Sequence, residues 1–235
     1  TASSKSAIMR ELSELLDEYK FSLKLDTKKN LICFENGIYD LDTHIFRDGK
    51  PEDYISLSTG YNYIPFEEIS DDPIIREMQD FFEQVFINEN VREYILKYIA
   101  SLFEGGNDQE SFHVFIGSGS NGKSKLKDLI DKTLGEYSTS IPISFFTQKR
   151  VSSARAQPEV VDTIGRKFAY TDEPEKEAKI NAGLMKQWSG RDKIKARGLY
   201  SDNVEWENLL KIVLLCNDFP ILPPHDMGVW RRVRA

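Results

Sequence analysis

The segment GSGSNGKS at residues 117–124 constrains the fold more than any other part of the sequence. It matches the phosphate-loop pattern G-x-x-x-x-G-K-[ST] at every fixed position, and it lies between the apolar stretch FHVFI and an amphipathic stretch that begins KSKLKDL. Such a loop needs a strand before it and a helix after it, because its glycines let backbone N–H groups turn toward phosphate oxygens. The pattern therefore predicts a strand, a phosphate-binding loop and a helix, in that order.

The residues of this segment have distinct predicted roles in binding a nucleotide. The loop residues, whose backbone would surround the phosphate groups, are Gly117, Ser118, Gly119, Ser120, Asn121 and Gly122. Lys123 would add positive charge at the β- and γ-phosphates, and the Ser124 hydroxyl would bind Mg²⁺. Because the guanine-binding pattern Asn-Lys-x-Asp is absent from the sequence, the predicted cofactors are ATP and Mg²⁺.

The pattern of apolar residues divides the chain near residues 105–106. Before this point, residues 4–20 predict an amphipathic helix, and LICFENGIYDLDTHIF predicts a β-hairpin with an Asn-Gly turn. Asp caps and Pro73 predict a helix over 73–86, and a second helix is predicted over 89–103, ending at Glu-Gly-Gly. After it, strands alternate with helices, a pattern typical of a parallel sheet with helices on both faces. We therefore predict an α/β fold of the P-loop NTPase (AAA+-like) kind, preceded by a smaller mixed helical and β-hairpin region. The predicted domains are residues 1–70 (α+β, with the hairpin), 71–106 (helical collar or linker) and 107–235 (nucleotide-binding domain).

An acidic pair, Asp172 and Glu173, follows the strand-like stretch KFAYT. In a nucleotide hydrolase the first carboxylate would hold the Mg²⁺ shell, and the second would polarise the attacking water. The alternative is a solvated acidic turn, because Glu175 and Glu177 follow in the sequence. The position downstream of a phosphate loop favours the catalytic interpretation.

Two further polar sites lie where the chain could approach a γ-phosphate. Asn217 follows the apolar stretch KIVLLC, and its amide could position the attacking water; the alternative is an asparagine that only caps a turn. Arg231 and Arg232 lie in the stretch GVWRRVRA, and either could reach the γ-phosphate of a neighbouring subunit as an arginine finger. For these arginines the alternative is a surface position or a contact with a nucleic-acid backbone.

A basic stretch at residues 186–197 is the candidate DNA contact. Lys193, Lys195 and Arg197 alternate and would share one face of a strand. The alternative is a solvated strand face. The chain has a formal net charge of −7, but residues 105–235 hold 20 Lys and Arg against 17 Asp and Glu, whereas residues 1–104 hold 11 against 21. A polyanionic partner is therefore expected at the C-terminal part.

Composition excludes several other classes of protein. The sequence has no run of about 18 apolar residues, and residues 1–20 are too charged for a secretory signal, so no membrane partner is predicted. Cys33 and Cys216 fit no metal or redox spacing, and the three histidines are scattered, so we predict no zinc site. A soluble protein of a reducing, intracellular compartment is expected.

Taken together, these motifs resemble those of the superfamily 3 helicases, and more narrowly those of the poxvirus-type primase-helicase family of large DNA viruses and phages. The resemblance covers nearly the whole chain. The stretches that carry it are FENGIYDL near the N-terminus, GSGSNGKS at 117–124, AQPEVVDTIGRKFAYTDEP at 156–174, MKQWSGRDKIKARGLY at 185–200 and LLCNDFPILPPHDMGVWRRV at 214–233.

The resemblance implies an ATP- and Mg²⁺-dependent DNA helicase of viral genome replication, a hexameric ring that moves on single-stranded DNA in the host cytoplasm. Residues 107–235 would be its superfamily 3 ATPase domain, truncated at the C-terminus, with a primase domain or other replication proteins as partners. The implied roles are Lys123 and Ser124 as the Walker A pair, Asp172 and Glu173 as the Walker B pair, Asn217 as the sensor, and Arg231 or Arg232 as the trans-acting finger. The resemblance also implies a hairpin after the basic strand, with its tip near residues 198–203 and Tyr200 as a stacking or wedge residue against DNA.

Two other functions also fit a phosphate loop. A small-metabolite kinase would need an arginine-rich lid, and no such segment lies between the predicted strands. A nucleotide-dependent assembly module would scaffold a primase or polymerase without being a motor.

Overall fold

The N-terminal region contains a helix and a small antiparallel sheet. In the computed structural model, which describes residues 2–16, 21–119, 121–148, 156–171, 179–199 and 203–235, these elements are α1 (Ala2–Leu16), β1 (Leu31–Phe34), β2 (Gly37–Asp40) and β3 (Ile45–Arg47). The predicted hairpin is confirmed, but its turn is formed by Glu35 and Asn36, because Phe34 pairs with Gly37. Glycine is required at position 37, since a Cβ there would lie 2.7 Å from the carbonyl oxygen of Arg47.

Three α-helices lie between β3 and the main sheet: α2 (Phe66–Ile69), α3 (Pro73–Val85) and α4 (Glu89–Ser101). The helices predicted over 73–86 and 89–103 are confirmed, and each begins with a side-chain cap. Asp72 accepts a hydrogen bond from the N–H of Ile74 at 2.9 Å, and Asn88 accepts one from Asn90 at 3.0 Å. Helices α3 and α4 each bury at least one side chain, whereas the side chains of α1 are exposed from residue 3 to residue 16. No helix in the described part of the chain is long and apolar enough to cross a membrane.

The C-terminal region is built on a five-stranded parallel sheet, as predicted. Its strands are β4 (Phe112–Ile116), β5 (Ser138–Ile141), β6 (Phe168–Thr171), β9 (Lys211–Cys216) and β10 (Val233–Arg234), and a separate pair consists of β7 (Ile194–Arg197) and β8 (Asn203–Trp206). The helices are α5 (Lys123–Leu134), α6 (Ser144–Thr147), α7 (Pro158–Val161), α8 (Ala182–Ser189) and α9 (Met227–Trp230). The strand order is β10-β4-β9-β6-β5, and all neighbours are parallel.

Alternate side chains of the main sheet face two hydrophobic cores. Val213 of β9 belongs to the core that contains Ile130 of α5 and Phe168 of β6. Leu214, the next residue of β9, belongs to the other core, with Met185 of α8. Successive residues of a strand point to opposite faces of the sheet, so each face is covered by one of these cores. Because each core contains a helix, the predicted helices on both faces are confirmed.

The strand order places β9 between β4 and β6. Because the three strands are parallel, the chain leaves them along one edge of the sheet, after Ile116, Thr171 and Cys216. Open parallel sheets bind ligands at this edge. The three stretches predicted to form the site therefore leave the sheet on the same side.

A buried ion pair in the N-terminal region makes the fold sensitive to acid. Asp53 is 5% exposed, and its two carboxylate oxygens each accept a hydrogen bond of 2.8 Å from the Arg47 guanidinium. The backbone N–H of Lys50 donates to the same carboxylate. Mainly because of the Arg47 hydrogen bonds, the pKa of Asp53 falls from 3.8 to about 2. Since the folded-state pKa is the lower one, the pair stabilises the fold above about pH 4, and this stabilisation is lost as the pH falls toward 2.

We expect Asp53 to account for a loss of about 2 kcal/mol in the free energy of unfolding between about pH 4 and pH 2. Urea unfolding over this pH range measures it. Asp53→Asn should be less stable than the wild type at neutral pH and should lack this part of the pH dependence. Parallel stability curves for the two proteins would contradict the assignment.

Candidate active site

The predicted phosphate loop connects β4 to α5. The strand ends at Ile116 and the helix begins at Lys123, with Gly122 directly before it at φ 86° and ψ −8°. This left-handed backbone favours glycine. A Cβ at Gly117 would lie 1.7 Å from Nδ2 of Asn121, so any other residue there would displace the Asn121 side chain. The order of strand, loop and helix predicted from the sequence is confirmed.

The remaining described residues of the loop face solvent. Ser118 and Gly119 are exposed, and so is Ser124 in the first turn of α5, whereas Ser120 lies outside the described residues. The first N–H groups of a helix have no partner within it, and they favour an anion. An anion can therefore approach the loop and the start of α5 from solvent.

Lys123 joins the phosphate loop to the end of β9. Its Nζ donates to the carbonyl oxygen of Gly117, to Oδ1 of Asn121 at 3.1 Å and to Oδ1 of Asn217 at 3.3 Å. Lys123 and Asn217, which the sequence analysis selected independently, are thus in contact although 94 positions separate them. An ammonium group has three donors, and these can bind phosphate oxygens in place of the present acceptors.

The predicted carboxylates follow β6. Asp172 and Glu173 lie outside the described residues, so their assignment stays a prediction. Thr171, the last residue of β6, is fully buried and pairs in register with Leu214 of β9. The chain therefore leaves β6 at the sheet edge that also carries the phosphate loop and Asn217.

Arg231 and Arg232 bind the same carboxylate but differ in exposure. Oε2 of Glu110 accepts from Arg231 at 2.8 Å and from Arg232 at 2.7 Å. Arg232 is 8% exposed and also donates to the carbonyl oxygen of Gly228 at 2.8 Å, so it is held within its own chain. The side chain of Arg231 is 65% exposed. Of the two candidate fingers, Arg231 is the one that a neighbouring molecule can reach, and Glu110, which the sequence did not indicate, positions it.

The basic strand forms a hairpin, as predicted. Strands β7 and β8 pair in antiparallel register, with Lys195 opposite Glu205. Lys195 and Arg197 are exposed on one face, and the alternate residues of β7 are buried in the core. Lys193 is exposed just before the strand, and Tyr200 lies outside the described residues.

Two other cations of the basic stretch are bound within the chain. Nζ of Lys186 lies 2.7 Å from a carboxylate oxygen of Asp226, and Arg191 donates to the carbonyl oxygen of Asp108 at 2.6 Å. Within the basic stretch, the candidate DNA contact is therefore limited to Lys193, Lys195 and Arg197, at the hairpin and directly before it.

Lys167, which the sequence analysis did not select, holds the N-terminal region against the main sheet. It directly precedes β6 and is 1% exposed. Its Nζ donates to the carbonyl oxygens of Lys29 at 3.0 Å, Leu31 at 2.8 Å and Phe103 at 2.8 Å. Burial lowers the pKa of Lys167 to about 7.

Lys211, the first residue of β9, makes a similar contact with the end of α4. Its Nζ donates to the carbonyl oxygen of Ser101 at 2.9 Å, which the helix end leaves without a helical partner, and to that of Glu104 at 2.8 Å, just beyond the helix. Burial lowers the pKa of Lys211 to about 8. The sequence signal for both residues is a lysine at the start of an otherwise apolar strand.

Comparison with known proteins relates the chain to proteins of large DNA viruses. The family described as "D5 N terminal like" matches residues 1–87. A protein of Acanthamoeba polyphaga mimivirus, provisionally named a helicase, is 40% identical over 231 residues, which are 98% of this chain and 24% of that protein. Over residues 1–87 the chain is thus similar to the D5 N terminal like family, and over nearly its whole length it is similar to this viral protein.

Other similar proteins come from further virus groups. A protein of Invertebrate iridescent virus 6, provisionally named a helicase, is 29% identical over 97% of this chain and 24% of its own length. A protein of African swine fever virus, provisionally named a primase, is 23% identical over 98% of this chain and 24% of its own length. Among solved structures, an apo form of the NrS-1 C-terminal region has a TM-score of 0.49 and 15% identity, covering 63% of this chain and 34% of that chain. The chain thus spans about a quarter of the length of these viral relatives.

Proposed function

We propose that this chain is the ATP-hydrolysing part of a DNA helicase that moves on single-stranded DNA during viral genome replication. The observation that carries the proposal is the contact between Lys123 of the phosphate loop and Asn217 at the end of β9. A lysine that only stabilised a glycine-rich turn would not need the polar end of a central strand as its partner. The names of the viral relatives, helicases and primases, support the same role.

ATP would bind with its phosphates along the loop and the first turn of α5. Lys123 would donate to the β- and γ-phosphate oxygens, and Asn217, already hydrogen-bonded to that lysine, would position the attacking water. Ser124 and Asp172 would hold Mg²⁺, because hydroxyl and carboxylate oxygens are the ligands it prefers. Bound Mg²⁺ supplies neutralisation of the charge that develops on the γ-phosphate. Glu173 would polarise the water.

A neighbouring subunit would complete the site in a homo-oligomer, which we propose to be a hexameric ring. The exposed Arg231 would donate hydrogen bonds to the γ-phosphate bound by the next subunit and stabilise its charge. Single-stranded DNA would contact Lys193, Lys195, Arg197 and Tyr200 at the hairpin. The protein would work beside a primase domain and other replication proteins, at a replication site in the host cytoplasm.

DNA-stimulated ATP hydrolysis across a salt series tests this function. We expect single-stranded DNA to raise the rate, and the stimulation to fall as salt increases, because phosphate contacts displace counterions. The logarithm of the binding constant for single-stranded DNA should fall linearly with the logarithm of the salt concentration. Combining Lys195→Ala with Arg197→Ala should make this slope less steep by about 1.4, since each lost contact with a single strand removes about 0.7. Lys132→Ala, at an exposed position near the end of α5, is the matched control and should leave the slope unchanged.

Three outcomes would contradict parts of the proposal. A phosphorylated small molecule formed without any DNA effect would identify a kinase instead. Nucleotide-dependent assembly without hydrolysis would identify a scaffold. Strong DNA stimulation that persists at high salt would exclude the hairpin lysine and arginine as the backbone contact.

A further inference from the structure

An exposed apolar patch lies beside Arg231. It consists of Phe219, Ile221, Met227 and Trp230, whose exposed fractions run from 39% to 76%. The rings of Phe219 and Trp230 stack with centroids 6.4 Å apart and planes 6° apart, and Nε1 of Trp230 donates to a backbone oxygen at 3.1 Å. These rings are fixed in position while they face solvent, which is typical of a protein interface. The four residues are called the edge patch below.

Cations border the edge patch. Arg231 directly follows Trp230, and its 65% exposed side chain is held in place by Glu110. Arg234 in β10 is exposed as well. Because the carboxylate fixes the Arg231 guanidinium before any partner arrives, the patch and the cation form one preorganised surface.

A surface of opposite charge lies on α3, beside the phosphate loop. Helix α3 ends at Val85, whose Cγ2 lies 2.9 Å from the position that a Cβ on Gly122 would take. Exposed apolar side chains flank the charges, with Ile74 50% exposed and Ile87 88% exposed. The acids are spaced three residues apart and are all exposed: Glu77, Asp80 and Glu83. These acids are called the acidic face of α3.

We propose that the edge patch of one copy of this chain docks on the acidic face of α3 of a second copy. The apolar side chains of the patch would cover Ile74 and Ile87, and Arg234 would pair with an acid of α3. Since α3 ends against the phosphate loop, this docking brings Arg231 toward the loop of the second copy. The docking rests on the proposed function, which places the nucleotide at the phosphate loop. It adds the identity of the two surfaces that meet between subunits.

A second copy is the occupant for two reasons found in this chain. Both surfaces are present on it with opposite charge, and charge complementarity selects partners of this kind. The acidic face of α3 also lies beside the phosphate loop, where the Arg231 guanidinium of a second copy would bind the γ-phosphate. Because the two surfaces differ, the contact is heterologous, and each copy can use both of its surfaces at once.

Mixing two inactive variants tests the docking. Lys123→Ala keeps the edge patch and Arg231 but lacks the loop lysine, whereas Arg231→Ala keeps the loop. Each alone should have almost no ATPase activity. An equimolar mixture, combined before assembly, should recover about a quarter of the wild-type rate, because one heterologous contact in four joins an intact loop to an intact arginine.

Nucleotide binding separates failure of the docking from failure of the proposed function. If Arg231→Ala binds a fluorescent ATP analogue but the mixture recovers no activity, the docking and the action of Arg231 in trans are wrong, whereas nucleotide binding by the phosphate loop stands. If the wild type does not bind the analogue, the proposed function itself is wrong.

A charge exchange tests the same contact without touching the phosphate loop. Glu83→Arg and Arg234→Glu should each weaken association at least about tenfold in sedimentation with a non-hydrolysable ATP analogue, and the double variant should regain most of the loss. Trp230→Glu should weaken association too. Ile45→Glu, 56% exposed on β3 and outside both surfaces, is the matched control and should have no effect. Additive losses in the double variant, or an equal loss for Ile45→Glu, would overturn the proposal.

Discussion

Replacing Lys123 with alanine is expected to lower ATP turnover at least about 100-fold, as removal of one preorganised donor to a developing charge does in other enzymes. Its Nζ is the cationic donor at the centre of the loop, with oxygens of Gly117, Asn121 and Asn217 around it. Steady-state phosphate release with saturating single-stranded DNA measures the effect. Titration with a fluorescent ATP analogue should show weaker binding as well, because the same charge is present in the bound ground state.

The matched control for this prediction is Lys125→Ala. Lys125 is exposed in the same first turn of α5 and carries the same charge. It should retain turnover within about twofold, since it is not part of the set of hydrogen bonds around Asn217 and surface charges contribute little. If the two variants hydrolyse ATP equally fast, the loop does not hold the reacting phosphate.

Replacing Lys167 with methionine is expected to lower the free energy of unfolding by about 2–3 kcal/mol, or about 100-fold in the folding equilibrium. Methionine keeps most of the buried volume but leaves the carbonyl oxygens of Lys29, Leu31 and Phe103 without this donor. Each unsatisfied buried acceptor costs about 1–3 kcal/mol, and the desolvation of the ammonium group, which the variant avoids, offsets part of the total. Urea unfolding near neutral pH measures the change, with Lys125→Met as the exposed control.

The pH dependence of this effect has a defined sign. The pKa of Lys167 is about 7 in the folded protein against 10.5 for an exposed lysine, so the unfolded chain binds more protons between these values. This lysine therefore makes the wild type more stable as the pH rises from about 7 to about 10. Lys167→Met lacks that gain, and the difference between the two proteins should widen with pH. A difference that stays constant over this pH range would show that the pKa of Lys167 is not lowered in the fold.

Features that depend on neighbouring residues could be predicted from the sequence. The glycines and Lys123 fix the strand, loop and helix because the backbone there has few alternatives. Asp72 and Asn88 mark the starts of α3 and α4 because an N-cap needs only the next three residues. The alternation in β7 likewise follows from a period of two.

Features that depend on distant contacts could not be predicted in the same way. The meeting of Lys123 and Asn217 requires β9 beside β4, and an apolar pattern does not specify strand order. Arg231 and Arg232 are adjacent, chemically identical and bound to the same carboxylate, and only the packing that buries Arg232 beside the carbonyl oxygen of Gly228 distinguishes them. The burial of Lys167 likewise depends on carbonyl groups as far as 138 positions away.

The insertion of β9 between β4 and β6 also sets the width of the candidate site. Two inter-strand spacings separate the ends of β4 and β6, about 10 Å. A single water molecule cannot bridge that gap, whereas a terminal phosphate together with a hydrated metal ion is of about the right size. The middle strand thus sets the separation between the two sides of the site, and Asn217, which follows β9, lies between them. A fold that placed β4 directly beside β6 would halve this separation.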